Sequence, residues 1–358
     1  MARLRCSTAI ATAAGAAAVL FSAPLPAAAG EREVPDPSRT VVAAGIGHVE
    51  DTVFEGSAPR PARIAAARAT SRAYTTPDGY RVEIETSPAY RVDPVADQGV
   101  ADFLGSRLHG PELGTLSVYV GSPVEIRRLC GGGARVVACY SIGESRMYVP
   151  GEAVAGIPVE YPLTHEYGHH IASRRSNKPW EALDWGAKHW ASAVRVCTYV
   201  DRGLLFPGNQ GAHYRDDPGE GFADGYAHLH YPDVPWYYNE LMRPGPLEFA
   251  ALRKDVLDPW RGPRSRTFRG GLGPHRTQRT FRLRLKLDGN VTMRMKGAAG
   301  ASYTVEAETT GYAAGRTLRA GGMFGIEWCR RRPVDHVKLT VRRRTGTGPF
   351  ALSVRWPG

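Results

Sequence analysis

Between Pro162 and Ala172 the chain carries His165, Glu166 and His169 in the pattern HExxH, and no other stretch restricts it so tightly. Residues four apart share one face of a helix, so the two imidazoles can converge on one metal ion with Glu166 beside it. Such spacing belongs to hydrolytic zinc sites, in which the glutamate serves as base. It also demands a helix. Tyr167 to Ser173 contains no proline to interrupt one, and Ser145 to Val149 reads as a strand leading into it. His170, about 100° around the helix from His169, is expected to be a polar supporting residue and not a ligand.

Two histidines leave a catalytic zinc one protein ligand short of the usual three. A continuation HxxGxxH is excluded, because the positions it needs are Ala172 and Arg175. The better candidate is a helix starting near Pro218, a residue suited to a first turn. Along it Glu220 and Asp224 share a face, so Glu220 can ligate while Asp224 bonds the second nitrogen of a ligating histidine. His228 and His230 are rival ligands further along the same stretch.

HExxH followed by a helical glutamate, with an acid four residues later, resembles the gluzincin metallopeptidases. Within them, Glu220-Gly-Phe-Ala-Asp-Gly-Tyr226 is similar to the ExFAE-type helix in the catalytic domains of anthrax-lethal-factor-like toxins. The resemblance covers roughly residues 75 to 260 and rests on these two motifs. It implies Zn2+ held by His165, His169 and Glu220, with Glu166 as general base and Asp224 as partner of His165. Such enzymes also carry a Tyr or His that steadies the oxyanion, for which Tyr214 and His213 are the candidates here. The activity implied is hydrolysis of peptide bonds in a protein or peptide substrate through a zinc-activated water. The rival reading is a non-catalytic secreted protein that keeps zinc as a structural staple and binds anionic surface polymers. A structural site would be closed by four protein ligands, and the sequence offers three.

The remaining chain supports an exported protein. Residues 1–29 read as a signal peptide: Arg3 and Arg5, an apolar run from Ala9 to Phe21, and small residues at Ala27 to Ala29. That run is too short to span a membrane, so no transmembrane segment is expected and the location is extracellular. Beyond it lie four cysteines, an even number that suggests disulfides in an exported chain. Cys130 and Cys139 flank three glycines, so a bridge across a hairpin is the easiest pairing, and Cys197 with Cys329 follows by elimination.

The expected fold class is α+β: a zincin-like domain with a small sheet, the active-site helix and a helical lower half, then an all-β sandwich. Residues 30–72 read as a flexible leader, 73–260 as the catalytic domain, 261–278 as a linker and 279–358 as the sandwich. In the first domain Tyr80 to Glu85 and Leu116 to Val120 read as strands. Val95 to Leu108, Trp180 to Val196 and Pro246 to Val256 read as helices. The period becomes two at Phe281 to Leu287, Val291 to Lys296, Val337 to Val341 and Phe350 to Arg355. That pattern, with the closing run Gly346 to Val354, resembles the pre-peptidase C-terminal domains appended to secreted peptidases. Charge divides along the same boundary. Residues 261–358 hold 21 Lys and Arg against 5 Asp and Glu, in a chain whose net charge is only +11. The basic domain is suited to an anionic cell-envelope polymer or glycan. No motif for sequence-specific nucleic acid is present.

Overall fold

The computed structural model describes residues 50–54, 70–131 and 135–358; the expected signal peptide lies outside them. An α+β region with a mixed sheet is followed by an all-β sandwich of two sheets.

The first region opens with β1 (Glu50–Phe54), β2 (Thr70–Thr75), β3 (Arg81–Thr86) and α1 (Pro94–Ser106). Next come β4 (Ser117–Gly121), α2 (Pro123–Leu129), β5 (Val136–Ser141), β6 (Arg146–Pro150) and α3 (Glu160–Ser173). The six strands lie in the order β1-β5-β6-β4-β3-β2. Both edge strands draw on the stretch 30–72 that reads as a leader: β1 pairs parallel with β5, and β2 begins at Thr70. Both strands thus fall wholly or partly within that stretch, where neither Glu50 to Phe54 nor Thr70 to Thr75 alternates apolar with polar residues.

Helix α3 is sandwiched between β5 and β6 on one side and a later helix, α7 (Pro218–His228), on the other. Leu163, Tyr167 and Ile171 form a fully buried stripe at i, i+4 and i+8. His165 and His169 lie two residues out of step with it, about 200° around the axis, on the opposite face. His170 anchors the helix to its surroundings: Nε2 lies 2.9 Å from the Glu112 carbonyl and Nδ1 3.0 Å from the Tyr140 hydroxyl. Beneath it, Arg175 donates to the buried Glu112 carboxylate at 2.7 Å and to the Asp255 carbonyl at 2.7 Å.

The lower half holds α4 (Ala182–Trp185), α5 (Lys188–Val194), α6 (Val196–Asp201), α7 (Pro218–His228) and α8 (Pro246–Leu257). The single helix expected over Trp180 to Val196 is thus broken. At Gly186 φ is +73°, and a Cβ there would sit 2.3 Å from the Trp190 ring, so the turn admits only glycine. A second break falls at Arg195, in the left-handed region with φ +69°.

The sandwich comprises β7 (Arg264–Leu272), β8 (Gln278–Leu285), β9 (Gly289–Gly297) and β10 (Ser302–Thr309). It continues through β11 (Tyr312–Arg319), β12 (Met323–Trp328), β13 (Asp335–Thr345) and β14 (Gly348–Trp356). The sheets are β11-β10-β13-β8 and β12-β9-β14-β7. Their inward residues, including Met293, Tyr303, Val341 and Leu352, make a separate core. Strand β7 occupies half of the expected linker 261–278, pairing along its length with β14. As an edge strand with six exposed residues, it lacks the apolar alternation that marks its neighbours.

Buried polar contacts join the two parts. Lys188 Nζ, fully buried, donates to the carbonyls of Asn177 (3.1 Å), Lys178 (2.8 Å) and Asp288 (3.0 Å). The Arg330 guanidinium donates to Asp288 at 3.2 Å and to the Ser192 carbonyl. Cys197 is bonded to Cys329 across the same junction, as expected. Cys130 is bonded to Cys139, and the bridge links a helix to a strand instead of the two strands of a hairpin: Cys130 caps the C-terminus of α2 and Cys139 sits in β5. Ser122 and Glu125, three apart, mark the start of α2 in sequence.

Candidate metal centre

Helices α3 and α7 approach closely because Gly168 has no side chain. A Cβ there would lie 2.7 Å from the Ala223 Cα, inside any real contact distance. On α7, Gly219 and Gly221 flank Glu220, and Cβ atoms on them would meet the Leu183 carbonyl at 2.3 Å and the Met242 sulfur at 2.7 Å. Every residue of α7 is buried, its acids included. Pro218 opens the helix and the Asp217 carboxylate caps it, accepting from Gly219 N at 2.9 Å. Glu220 therefore sits in the first turn, where the helix dipole favours a negative group.

The donor atoms of His165, His169 and Glu220 lie within 4.8 Å of one another, all three residues buried. Glu220 Oε2 is 3.5 Å from His165 Nε2 and 3.4 Å from His169 Nε2. Those separations exceed a good hydrogen bond. They fit donors arranged tetrahedrally around one ion: ligands about 2.0–2.1 Å from zinc stand about 3.4 Å apart. Two imidazoles and a carboxylate are also a donor set suited to zinc. The group can thus hold a metal ion, and three donors leave one position open.

The next layer fixes the geometry. His165 Nδ1 faces Asp224 Oδ1 at 3.4 Å, which turns Nε2 toward Glu220. The Tyr161 hydroxyl donates to the same Asp224 oxygen at 2.6 Å. Burial raises the Asp224 carboxyl, yet His165, His228 and Tyr161 outweigh it and hold the group below its ordinary value. Burial, reinforced by the Asp224 charge, pushes the Tyr161 phenol well above its ordinary value, so it remains a donor. Gln210 Nε2 donates to Glu220 Oε1 at 3.1 Å. Glu166, next to His165 in the chain, is completely buried.

Of the two oxyanion candidates, Tyr214 reaches the centre through an intermediary. Its hydroxyl lies 2.9 Å from that of Tyr238, which stands 3.5 Å from Glu220 Oε2, while the Tyr238 ring stacks toward His165. His213 stacks on Phe206 at 3.8 Å, with Nδ1 3.5 Å from Asp216. The rival ligands His228 and His230 stand outside the triad. His228 bridges the Asp224 and Val234 carbonyls, and His230 Nε2 accepts from Leu108 N. A hollow of about 540 Å³, lined by Tyr214, Arg215, Tyr238 and Asn239 among others, lies outside the tyrosine pair. Tyr161, Gln210 and Tyr238 escape sequence reading because none belongs to a spaced motif. The aromatic run Trp236-Tyr237-Tyr238 is the one signal that could have pointed to the last of them.

No family model matches the chain, and no curated protein matches it. Among solved structures it is similar to the pre-peptidase C-terminal domain of a Bacillus anthracis collagenase. The identity there is 17%, over 25% of this chain and 88% of that one, with a TM-score of 0.21. The Yersinia pseudotuberculosis-derived mitogen is 10% identical over 26% of this chain and 86% of its own, at 0.22. A de novo designed double-stranded β-helix is 17% identical over 26% and 96%, at 0.18. Likenesses this remote carry no argument about the sandwich's kinship or its activity.

Proposed function

We propose that the protein is an exported zinc-dependent endopeptidase of gluzincin type. The observation that carries this reading is the convergence of the His165, His169 and Glu220 donor atoms within 4.8 Å, with Glu166, next to His165 in the chain, buried. Zinc held there by His165, His169 and Glu220 would supply Lewis acidity toward a carbonyl and a water. Glu166 would be the general base, taking a proton from the attacking water and delivering it to the leaving amine. Asp224, backed by Tyr161, keeps His165 in the tautomer that presents Nε2. Tyr238, coupled to Tyr214, is the hydroxyl best placed to donate to the developing oxyanion. Two disulfides support export. Among the described residues no helix is long and apolar enough to cross a membrane.

The test is cleavage of a peptide library by the zinc-loaded protein and its Glu166→Gln variant. The variant should retain zinc and lose about 10²- to 10⁴-fold in rate, the contribution of a general base. A parent that binds zinc but cleaves no peptide would overturn the reading in favour of a binding protein with a structural metal.

A further inference from the structure

The two sheets of the sandwich handle their cations differently. On β11-β10-β13-β8, glutamates of β10 face the cations of β13: Lys338 pairs with Glu308 at 3.1 Å and Arg342 with Glu306 at 3.3 Å. On β12-β9-β14-β7, the outward positions carry Arg269, Lys296, Arg294 and Arg355. Among the described residues of that face the one acid is Glu327, on the edge strand β12, where it borders a different cleft with Arg195 and Arg331.

The four cations form a track. Arg269 and Lys296 flank Ala351 in one cross-strand row, Arg294 precedes Lys296 by two residues, and Arg355 lies opposite Thr292. Neighbours along a strand are therefore about 7 Å apart, and those separated by two strand spacings about 10 Å. Each end of the track opens into a concavity. Arg269 and Lys296 border a hollow of about 640 Å³ whose floor includes Gly270, Gly297 and Ala351. At the other end Arg355 enters a cleft of about 510 Å³ where the sandwich meets the first region, beside Lys178, Arg261 and Trp260.

We propose that this track, from the glycine-floored hollow to the Trp260 cleft, binds an acidic polysaccharide. Six cations match a polymer with regularly repeated negative charge: no acid lines either concavity, and the exposed Arg261 lies 3.7 Å from Asp258. Between the cations stand Ser265, Thr267, Thr292 and Ser353, hydroxyls that both donate to and accept from sugar hydroxyls. Proteins that hold single-stranded nucleic acid stack its bases on aromatic platforms. Among the described outward residues of these four strands there is no aromatic. Trp260, at the end of the track, offers a single flat surface with its indole nitrogen already bonded to the Pro357 carbonyl at 2.7 Å. This inference does not depend on the metal centre.

The experiment measures binding of the full chain to polygalacturonate, neutral dextran and single-stranded DNA at low and high salt. It compares the parent with Arg294→Glu/Lys296→Glu/Arg355→Glu and with Arg282→Glu/Arg284→Glu/Lys286→Glu. The second set makes the same change of net charge on the other sheet. All six positions are exposed, and thermal unfolding verifies that both variants fold. The parent should bind polygalacturonate in a salt-sensitive manner and ignore dextran. The track variant should lose about tenfold or more in affinity, while the other stays within about twofold of the parent. Equal losses in both variants would reduce the effect to net charge and overturn the proposal. Binding of DNA in preference to polygalacturonate, or of neither polyanion, would overturn it as well.

Discussion

The α3–α7 junction and the outer face of β12-β9-β14-β7 use charge in opposite ways. At the junction Glu166, Glu220 and Asp224 are buried, and glycines at 168, 219 and 221 leave no room for the helices to shift. On the sheet, Arg294, Lys296 and Arg355 are exposed, above a core that is complete without them. A buried charge is costly unless partnered, so its contacts determine stability and chemistry together. An exposed cation costs little, so its position can serve binding alone. Substitutions in the two regions should therefore separate cleanly by effect.

The largest effect on stability is expected beneath α3. Arg175→Met leaves the buried Glu112 carboxylate without its cation and should cost about 3–5 kcal/mol in chemical denaturation. The pH dependence gives the sign. Burial raises the Glu112 carboxyl, but Arg175 and neighbouring donors overcome this and hold it below its ordinary value of 4.5. The folded state thus binds fewer protons than the unfolded one in that window. Its contribution is complete above pH 4.5 and is lost as pH falls through the depressed folded value. In Arg175→Met this acid-side loss should shrink or reverse, and an unchanged stability profile from pH 3 to 6 would show the pair to be idle.

Asp224→Ala should act more narrowly. It frees His165 from its orienting carboxylate and should weaken zinc binding by about 10- to 100-fold in a competition titration, with Glu220 still in place. Zinc affinity equal to the parent's would remove Asp224 from the account. The smallest effect is expected on the sheet. Arg294→Ala should move stability by no more than about 0.5 kcal/mol, and a loss above 1 kcal/mol would show that the face is structural.

The same contrast explains what the sequence reveals. The centre is legible where it depends on helical spacing: His165 with His169, and Glu220 with Asp224, each place two groups on one face. Glycine at 168 is legible only afterwards, since its need is set by Ala223 on a different helix. Tyr161 escapes because α3 begins at Glu160 with no side-chain cap to mark it. Gln210 and Tyr238 reach Glu220 from loops, whose course is decided by tertiary packing. In the sandwich, β8, β9, β13 and β14 alternate strongly. Strand β11 is exposed at most of its positions, and its pairing with β10 shows only in the fold. The two cysteine pairs follow from their number and neighbours, but the bridge at Cys130 reads as a hairpin because a seven-residue helix is easily missed.

The most direct test of the central claim is the zinc content of the purified protein, stripped with chelator, reloaded and dialysed, beside its Glu220→Ala variant. The account predicts one zinc per chain in the parent and a loss of tight binding in the variant. A parent that retains no zinc, or a variant that holds it as tightly, would contradict a centre built from His165, His169 and Glu220.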